Sequence, residues 1–263
     1  MERIVCSWCQ AQNEPGATTC ARCGAPLDVS NVVSDSGWRQ APRLVDLAEF
    51  SFGGGSRCQV TGALVPVADV SLAAGDGIFF EAKTMLWKDE DLAIASMKVG
   101  GGLSRMFGGM PYVVTTATGP GRIAFSRDAS GEVVVLPMDP SVELDARGHA
   151  FLAGTQSISY SFIQLKGYTN LVHGDDGLYM DRFTTGQQAG ALLLHGYGNV
   201  MERTLAAGEK VLVDPGGFLY KDSSVTMDVH QLDVKTGLTR HGLYLAEMTG
   251  PGRVGIQSMD HHG

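Results

Sequence analysis

Apolar residues recur along most of the chain in short runs separated by glycine-rich turns, with the two-residue period of β-strands. The pattern is clearest when the chain is aligned on Gly75, Gly148 and Gly208. Alanine stands two residues before each glycine, and an apolar triplet follows three to five residues after it. This spacing predicts three copies of one unit: a glycine turn, a strand, a polar turn and a second strand.

The second strand of each copy places two large side chains on one face. These pairs are Met85 and Trp87, Ile158 and Tyr160, and Phe218 and Tyr220. We expect the three aromatic residues to converge near a pseudo-threefold axis and fill a shared core, because burial of large rings stabilises such a centre. Stacking of the rings on a ligand is the alternative interpretation.

A second motif supports the repeat. Thr118-Gly-Pro-Gly-Arg-Ile123 recurs as Thr249-Gly-Pro-Gly-Arg-Val254, and Thr185-Gly186 followed by Gly190-Ala-Leu-Leu193 is a degenerate middle copy. Each copy is predicted to open a strand. The chain of 263 residues, with 44% hydrophobic residues and 35 glycines, is long enough for one sizeable core. The pattern therefore predicts one all-β domain of three similar sheets over residues 47–259.

Four cysteines near the N-terminus have the spacing of a zinc ribbon. Cys6 and Cys9 form one Cys-x2-Cys pair, and Cys20 and Cys23 form a second, with Gly24 suited to the tight turn that follows. We predict that the four thiolates hold one structural zinc ion and that residues 1–27 fold around it, because so short a segment has no core of its own. Two disulfides are the less favoured alternative, since no secretory segment precedes Cys6 and Cys58 would stay unpaired. Reduced thiols predict a cytoplasmic location.

The remaining segments connect or extend these two domains. Residues 28–46 are predicted to form a linker, in which Trp38 either docks on a neighbouring domain or stays exposed, and residues 260–263 form a tail. The segment from Gly100 to Met110 combines glycines with Leu103, Met106 and Phe107. It is a candidate contact surface, because methionine-rich surfaces adapt to partners; an ordered cap over the barrel end is the alternative.

Charge and motifs restrict the possible functions. Glu2 and Glu14 balance Arg3 and Arg22, so the whole net charge of −8 lies outside the ribbon and argues against nucleic-acid binding. No His-x-His, His-Glu-x-x-His, Gly-x-Ser-x-Gly or P-loop motif occurs, and no apolar stretch is long enough to span a membrane. Cys58 beside Arg57 is either an activated thiol or a small buried apolar residue. We expect no enzymatic activity.

The threefold glycine-to-aromatic pattern, the Leu103-Ser-Arg-Met-Phe-Gly-Gly109 insertion and the Thr-Gly-Pro-Gly-Arg turns resemble the altered inheritance of mitochondria protein 24 family over Leu47 to Met259. The resemblance implies an attenuation-protein-like β-sandwich or prism, grouped with the tryptophan RNA-binding attenuation protein. It implies no catalytic residues. Bacterial members of the family carry a transferred label of transcriptional regulator, and mitochondrial members are linked to inner-membrane organisation. The N-terminal ribbon is a departure from the family pattern.

Together these observations predict a non-catalytic binding or scaffold protein, with a zinc-ribbon adaptor on a β-domain platform. Its expected partners are proteins. A nucleic-acid-binding, transcription-associated regulator is the alternative. Homo-oligomers are also expected, because open strand edges invite pairing, and contact with a membrane surface stays an open question.

Overall fold

The computed structural model describes residues 3–6, 9, 11–27, 32–33, 36, 38–40, 49–98, 113–165, 178–236 and 239–260. Strands and turns dominate throughout these ranges, and they contain no α-helix. The expectation of an all-β chain is therefore confirmed. Two single-turn 3-10 helices, Ala82–Thr84 and Pro215–Gly217, each precede a strand.

Four short strands form the N-terminal part, and a hairpin follows them. The N-terminal strands are β1 (Arg3–Val5), β2 (Gln12–Asn13), β3 (Val32–Val33) and β4 (Arg39–Gln40). The hairpin consists of β5 (Glu49–Phe52) and β6 (Ser56–Thr61).

Eighteen strands make up the repeated domain, six in each repeat. The first repeat contains β7 (Val67–Leu72), β8 (Gly77–Phe80), β9 (Met85–Lys88), β10 (Ala93–Lys98), β11 (Val113–Thr118) and β12 (Gly121–Phe125). The second contains β13 (Gly131–Met138), β14 (Glu143–Arg147), β15 (Phe151–Thr155), β16 (Ile158–Leu165), β17 (Leu178–Thr185) and β18 (Gly190–Tyr197). The third contains β19 (Val200–Leu205), β20 (Lys210–Val213), β21 (Phe218–Asp222), β22 (Thr226–Thr236), β23 (Thr239–Thr249) and β24 (Gly252–Gln257).

One antiparallel pairing scheme recurs in all three repeats. The sixth strand pairs with the first and the third, and the fifth strand pairs with the second and the fourth. Each repeat therefore contributes two layers of three strands, which is the sandwich unit from which a threefold prism is built. The internal repeat predicted from the apolar pattern is present.

The register of the middle repeat differs from the one that the glycines suggest. The turn before the second strand has a positive φ in each repeat, at Gly75 (85°), Ser141 (64°) and Gly208 (78°). The alignment on Gly148 was therefore wrong by seven residues, because a serine occupies the left-handed position that glycine takes in the other two repeats. The same turn hydrogen bond recurs in this register: Asp76 N to Ala73 O, Val142 N to Asp139 O, and Glu209 N to Ala206 O.

Neighbouring repeats are joined by what we call junctions, in which the second strand of one repeat pairs with the third strand of the next. The first junction is β8 with β15, and the second is β14 with β21. Each junction merges two three-stranded layers, so that one sheet runs β10-β11-β8-β15-β18-β13 and another begins β16-β17-β14-β21-β24-β19.

The two repeated sequence motifs contact each other directly. A Cβ added to Gly119 would lie 2.3 Å from the backbone oxygen of Ala73, and one added to Gly250 would lie 2.3 Å from that of Ala206. The first glycine of each Gly-Pro-Gly turn therefore packs against the Leu-Ala-Ala-Gly turn of its own repeat. Both motifs recur together because a side chain at either glycine would displace a backbone turn.

The interior consists of three hydrophobic clusters. Tyr160 and Tyr220 are buried in one of them, with Phe79, Phe151 and Phe183 stacked around the Tyr160 ring. Trp87 was predicted to join this shared core, and that prediction was wrong: its side chain is 39% exposed. In the corrected register Trp87 and Tyr220 are equivalent to Ala153, and not to Tyr160, so the three predicted rings do not occupy one repeated position.

The segment assigned to a linker contains β3 and β4. β3 pairs with β1, and β4 pairs with both β3 and β19, so the ribbon and the third repeat share one ten-stranded sheet. Trp38 packs against the hydrophobic cluster of the third repeat, and the Arg203 guanidinium lies 5.9 Å from its ring centroid. Of the two alternatives for Trp38, the structure shows docking.

Candidate metal centre

The four predicted zinc ligands come together in one cluster. The Sγ atoms of Cys6, Cys9, Cys20 and Cys23 all lie within 4.8 Å of one another. The shortest distances, Cys6 to Cys23 and Cys9 to Cys20, are both 3.6 Å. Zinc bound tetrahedrally at about 2.3 Å from each sulfur requires sulfurs about 3.8 Å apart. The cluster therefore has the size of a zinc site, and all four residues are free cysteines.

Two tight turns aim the sulfurs at one point. The N–H of Cys6 donates to the oxygen of Ala11 (3.0 Å), closing the turn that follows β1. In the second turn the N–H of Gly24 donates to the oxygen of Cys20 (2.9 Å), with Gly24 at a φ of 72°. Such a φ favours glycine, as the sequence suggested.

Asn13 connects the two halves of the ribbon. Its side-chain nitrogen donates to the Ala11 oxygen at 2.9 Å and lies 3.7 Å from the Cys20 sulfur, while its oxygen accepts from the N–H of Ala21 at 2.8 Å. Only 7% of this residue is exposed. Sequence reasoning missed Asn13, because a single asparagine on a two-residue strand has no distinctive pattern. Such outer contacts orient metal ligands and tune their affinity.

Hydrogen bonds to sulfur favour the ionised form of Cys20. The backbone N–H of Cys23 and then that of Arg22 lower the pKa of the Cys20 thiol to about 6, against an opposing effect of burial. Because the thiolate is the form that binds metal, Cys20 is a ligand ready to bind at neutral pH. The pKa of Cys23 is instead raised to about 12, against the lowering effect of the Ala25 backbone N–H, by the sulfur of Cys9 and by burial. The donor set of four sulfurs fits zinc, which would cross-link the two turns and supply the folding free energy of the ribbon.

The match to known families follows these boundaries. The model of the family described as mitochondrial biogenesis AIM24 matches residues 58–259, and that of a zinc-ribbon domain matches residues 5–27. The chain belongs to the AIM24 family. This AIM24-family protein therefore carries a zinc ribbon in front of the family domain, as the cysteine spacing and the repeats indicated. No curated protein sequence matches the chain.

A solved structure shows the same fold. The crystal structure of protein SPYM3_0169 from Streptococcus pyogenes is similar to this AIM24-family chain with a TM-score of 0.58 and 18% sequence identity. The similarity covers 78% of this chain and 94% of the other. At this level of identity the comparison concerns the fold alone.

The other candidate residues have varied outcomes. The segment from Gly100 to Met110, for which a contact surface and an ordered cap were the alternatives, lies outside the described residues. Within the described part of the chain, the four cysteines are the one group of cysteine, histidine and carboxylate residues with metal-binding geometry. The two helices in the described part of the chain are single turns, and neither is long and apolar enough to cross a membrane.

A small cleft of about 210 Å³ lies beside the turn between β5 and β6. Its principal charged group is Asp76, whose carboxylate accepts hydrogen bonds from the N–H of Gly54 (2.8 Å) and the hydroxyl of Ser56 (2.5 Å). The Ser56 hydroxyl and then the Gly54 N–H lower the pKa of Asp76. The glycine-rich turn thus binds a carboxylate of its own chain.

A buried ion network, which sequence reasoning did not identify, holds the second junction together. The fully buried Asp145 carboxylate accepts from Arg182 Nε at 2.7 Å and from Lys221 Nζ at 2.8 Å. Lys221 is itself 4% exposed, and Arg182 also pairs with Glu143 at 2.9 Å. The four charges, two carboxylates and two cations, come from β14, β17 and β21, so no local motif could reveal them. Because they neutralise one another within the sheets, they link the strands of the junction.

Cys58 is a buried apolar residue and not an activated thiol. It lies in the hydrophobic cluster of the first repeat with no exposed surface. Burial, and next the charge of Asp69, raises its pKa to about 12.

We therefore expect Cys58 to resist iodoacetamide in the folded, zinc-loaded protein. Its modified fraction should stay small from pH 8 to 10, because the sulfur has no exposed surface and a pKa of about 12 leaves little thiolate, whereas an ordinary exposed thiol reacts readily once the pH passes about 8.5. Peptide mass spectrometry measures the modified fraction, with the urea-unfolded protein as the reactive control. Modification of Cys58 in the folded protein as fast as in the unfolded control would contradict the assignment.

Proposed function

We propose that this AIM24-family protein is a non-catalytic, cytoplasmic binding or scaffold protein, in which the zinc ribbon is the adaptor and the β domain is the platform. One observation carries the proposal: the ribbon is joined to the platform by paired strands. β1, β3, β4 and β19 are neighbours in one sheet, so a partner bound to the ribbon would be held in a defined direction relative to the domain.

The chemistry of the platform supports a binding role. Buried carboxylates of the platform accept hydrogen bonds from neighbouring groups: Asp181 accepts from the Tyr160 hydroxyl and Glu202 from the Tyr220 hydroxyl, each at 2.7 Å, and Glu132 accepts from the backbone N–H of Val200 at 3.2 Å. The half-buried Asp222 carboxylate accepts a hydrogen bond from the Arg253 guanidinium at 2.8 Å. Groups engaged in this way stabilise sheets, whereas catalysis requires polar groups that converge on a cleft.

The partner is expected to be a protein. Nucleic-acid binding needs lysine and arginine to neutralise phosphates, and this chain has a net charge of −8.

The test is an affinity capture from native lysate with the full chain as bait. A bait that starts at Leu44 would lack β4 as well as the ribbon and would expose the edge of β19, so a point variant is preferable. Cys20→Ser removes the ribbon while every strand of the platform remains. Cys58→Ala is the matched control, because it removes a thiol outside the ribbon.

We expect proteins captured by the wild type and by Cys58→Ala to be depleted at least fivefold with Cys20→Ser. Quantitative mass spectrometry after nuclease treatment measures the ratio. Identical protein sets on all three baits would refute the adaptor role. Loss of the captured proteins after nuclease treatment alone would favour the nucleic-acid-binding alternative.

A further inference from the structure

The pseudo-threefold arrangement calls for three junctions, and one of them is not formed within the described part of the chain. β8 pairs with β15, and β14 pairs with β21. The equivalent third junction would join β20, the second strand of the third repeat, to β9, the third strand of the first repeat. Among the described residues these two strands do not pair: β9 ends the sheet β5-β6-β7-β12-β9, and β20 ends the sheet β20-β23-β22.

The side chains of these two unpaired strands are more exposed than those of the equivalent strands in the first junction. In the formed junctions, β8 and β15 are buried along their whole lengths. On β9, by contrast, Met85 is 39% exposed, Leu86 57% and Trp87 39%, and Leu212 on β20 is 41% exposed. Unpaired strand edges with apolar side chains are sites at which another strand adds.

The side chains of the open edges have retained the complementarity of a junction. In the first junction Phe80 lies opposite Ala153, and in the second Ala146 lies opposite Tyr220, so each has one aromatic and one small partner. The same register places Val213 on β20 opposite Trp87 on β9. At the other end of β20, Lys210 falls opposite Glu90, just beyond β9, which adds a charge pair across the same junction.

We propose that β20 of one chain pairs antiparallel with β9 of a second copy of the same chain, in the register of the formed junctions, and that the reciprocal pairing closes the assembly. The second copy is the occupant because each edge is complementary to the other, while the two do not pair with each other within the described part of one chain. The Trp87 ring, which the junction would cover, faces the Arg122 guanidinium at 5.9 Å. This association does not depend on the ribbon, so its failure leaves the adaptor proposal intact.

Leu212 provides the sharpest test, because the register places it opposite Lys88. In the second junction the equivalent pair is Asp145 and Lys221, an ion pair with a distance of 2.8 Å. Leu212→Asp should therefore preserve or strengthen association, whereas Leu212→Lys should weaken it at least tenfold, since like charges would meet at a desolvated contact. Within its own chain Leu212 lies opposite Glu247, so the lysine variant gains an attraction there and should remain folded.

The measurement is the mass of the full-length, zinc-loaded protein by sedimentation velocity over a range of concentrations. We expect the wild type and Leu212→Asp to form an assembly larger than one chain, and Leu212→Lys to stay monomeric. Fluorescently labelled Leu212→Lys should enter the assembly on addition of Lys88→Glu protein, more so than on addition of wild type, because the two substituted positions then carry opposite charges and face each other across the junction.

Three outcomes would overturn the proposal. A wild type that is monomeric at every concentration would remove the second copy. Equal effects of Leu212→Asp and Leu212→Lys would contradict the register. The third possible contradiction combines two results. The junction would close within one chain if Lys88→Glu protein did not recruit labelled Leu212→Lys, and if a single chain with both substitutions were more stable than the chain with Leu212→Lys alone.

Discussion

Replacement of Cys20 with serine is expected to abolish zinc retention and unfold the ribbon while the β domain stays folded. Zinc binding supplies about 10–16 kcal/mol in small zinc domains at neutral pH, which is more than a segment of this length gains from burial. The three remaining thiols hold the ion less tightly, and the variant lacks Cys20, the cysteine whose pKa is lowered. After dialysis against a chelator, we expect one zinc ion per chain in the wild type and none in Cys20→Ser.

Two measurements check this result. Atomic absorption gives the zinc content, and limited trypsin digestion reports the ribbon, because cleavage after Arg22 should be fast in the variant and slow in the zinc-loaded wild type. Cys58→Ala is the control for loss of a thiol, because alanine keeps this buried position apolar. An unchanged zinc content in Cys20→Ser would refute the assignment, and loss of the main thermal transition would show that the platform depends on the ribbon.

Lys221→Met is expected to cost about 3–5 kcal/mol of unfolding free energy, because it leaves the buried Asp145 carboxylate with Arg182 as its remaining cation. Chemical denaturation monitored by circular dichroism measures the change. Lys88→Met is the matched control: Lys88 occupies the equivalent position of the first repeat, where its ammonium contacts the backbone oxygens of Asp89 and Glu90. That substitution should cost under about 1 kcal/mol.

A double variant separates the buried charge from the packing. Asp145→Leu combined with Lys221→Met removes both partners, so it should recover part of the stability lost in Lys221→Met alone. If Lys221→Met destabilised the chain no more than Lys88→Met, the network would not hold the second junction.

The sequence predicted the ribbon and the repeat for different reasons. Cys6, Cys9, Cys20 and Cys23 are a local pattern whose spacing dictates a tetrahedral site, and the structure brings their sulfurs within 4.8 Å. The repeat was visible because its turns need particular residues: Gly119 and Gly250 each contact the turn before the second strand so closely that no side chain fits.

The register of the middle repeat was not visible in the same way. Ser141 adopts the left-handed conformation without being glycine, so the pattern pointed to Gly148 seven residues later. This shift made Tyr160 the counterpart of Trp87 and Tyr220, although the structure gives that place to Ala153. A left-handed backbone position can be occupied by a residue other than glycine, because the surrounding hydrogen bonds compensate for the strain.

By itself the amino-acid sequence determined the β-strand content, the presence of a repeat and the four cysteines of the candidate metal site, because these follow from residue spacing along the chain. The tertiary structure alone decided which edges pair. Strand pairing joins residues far apart in the chain, such as Asp145 with Lys221, Trp38 with the third repeat, and β4 with β19. The exposed edges of β9 and β20 likewise became visible only when the other two junctions were seen to close.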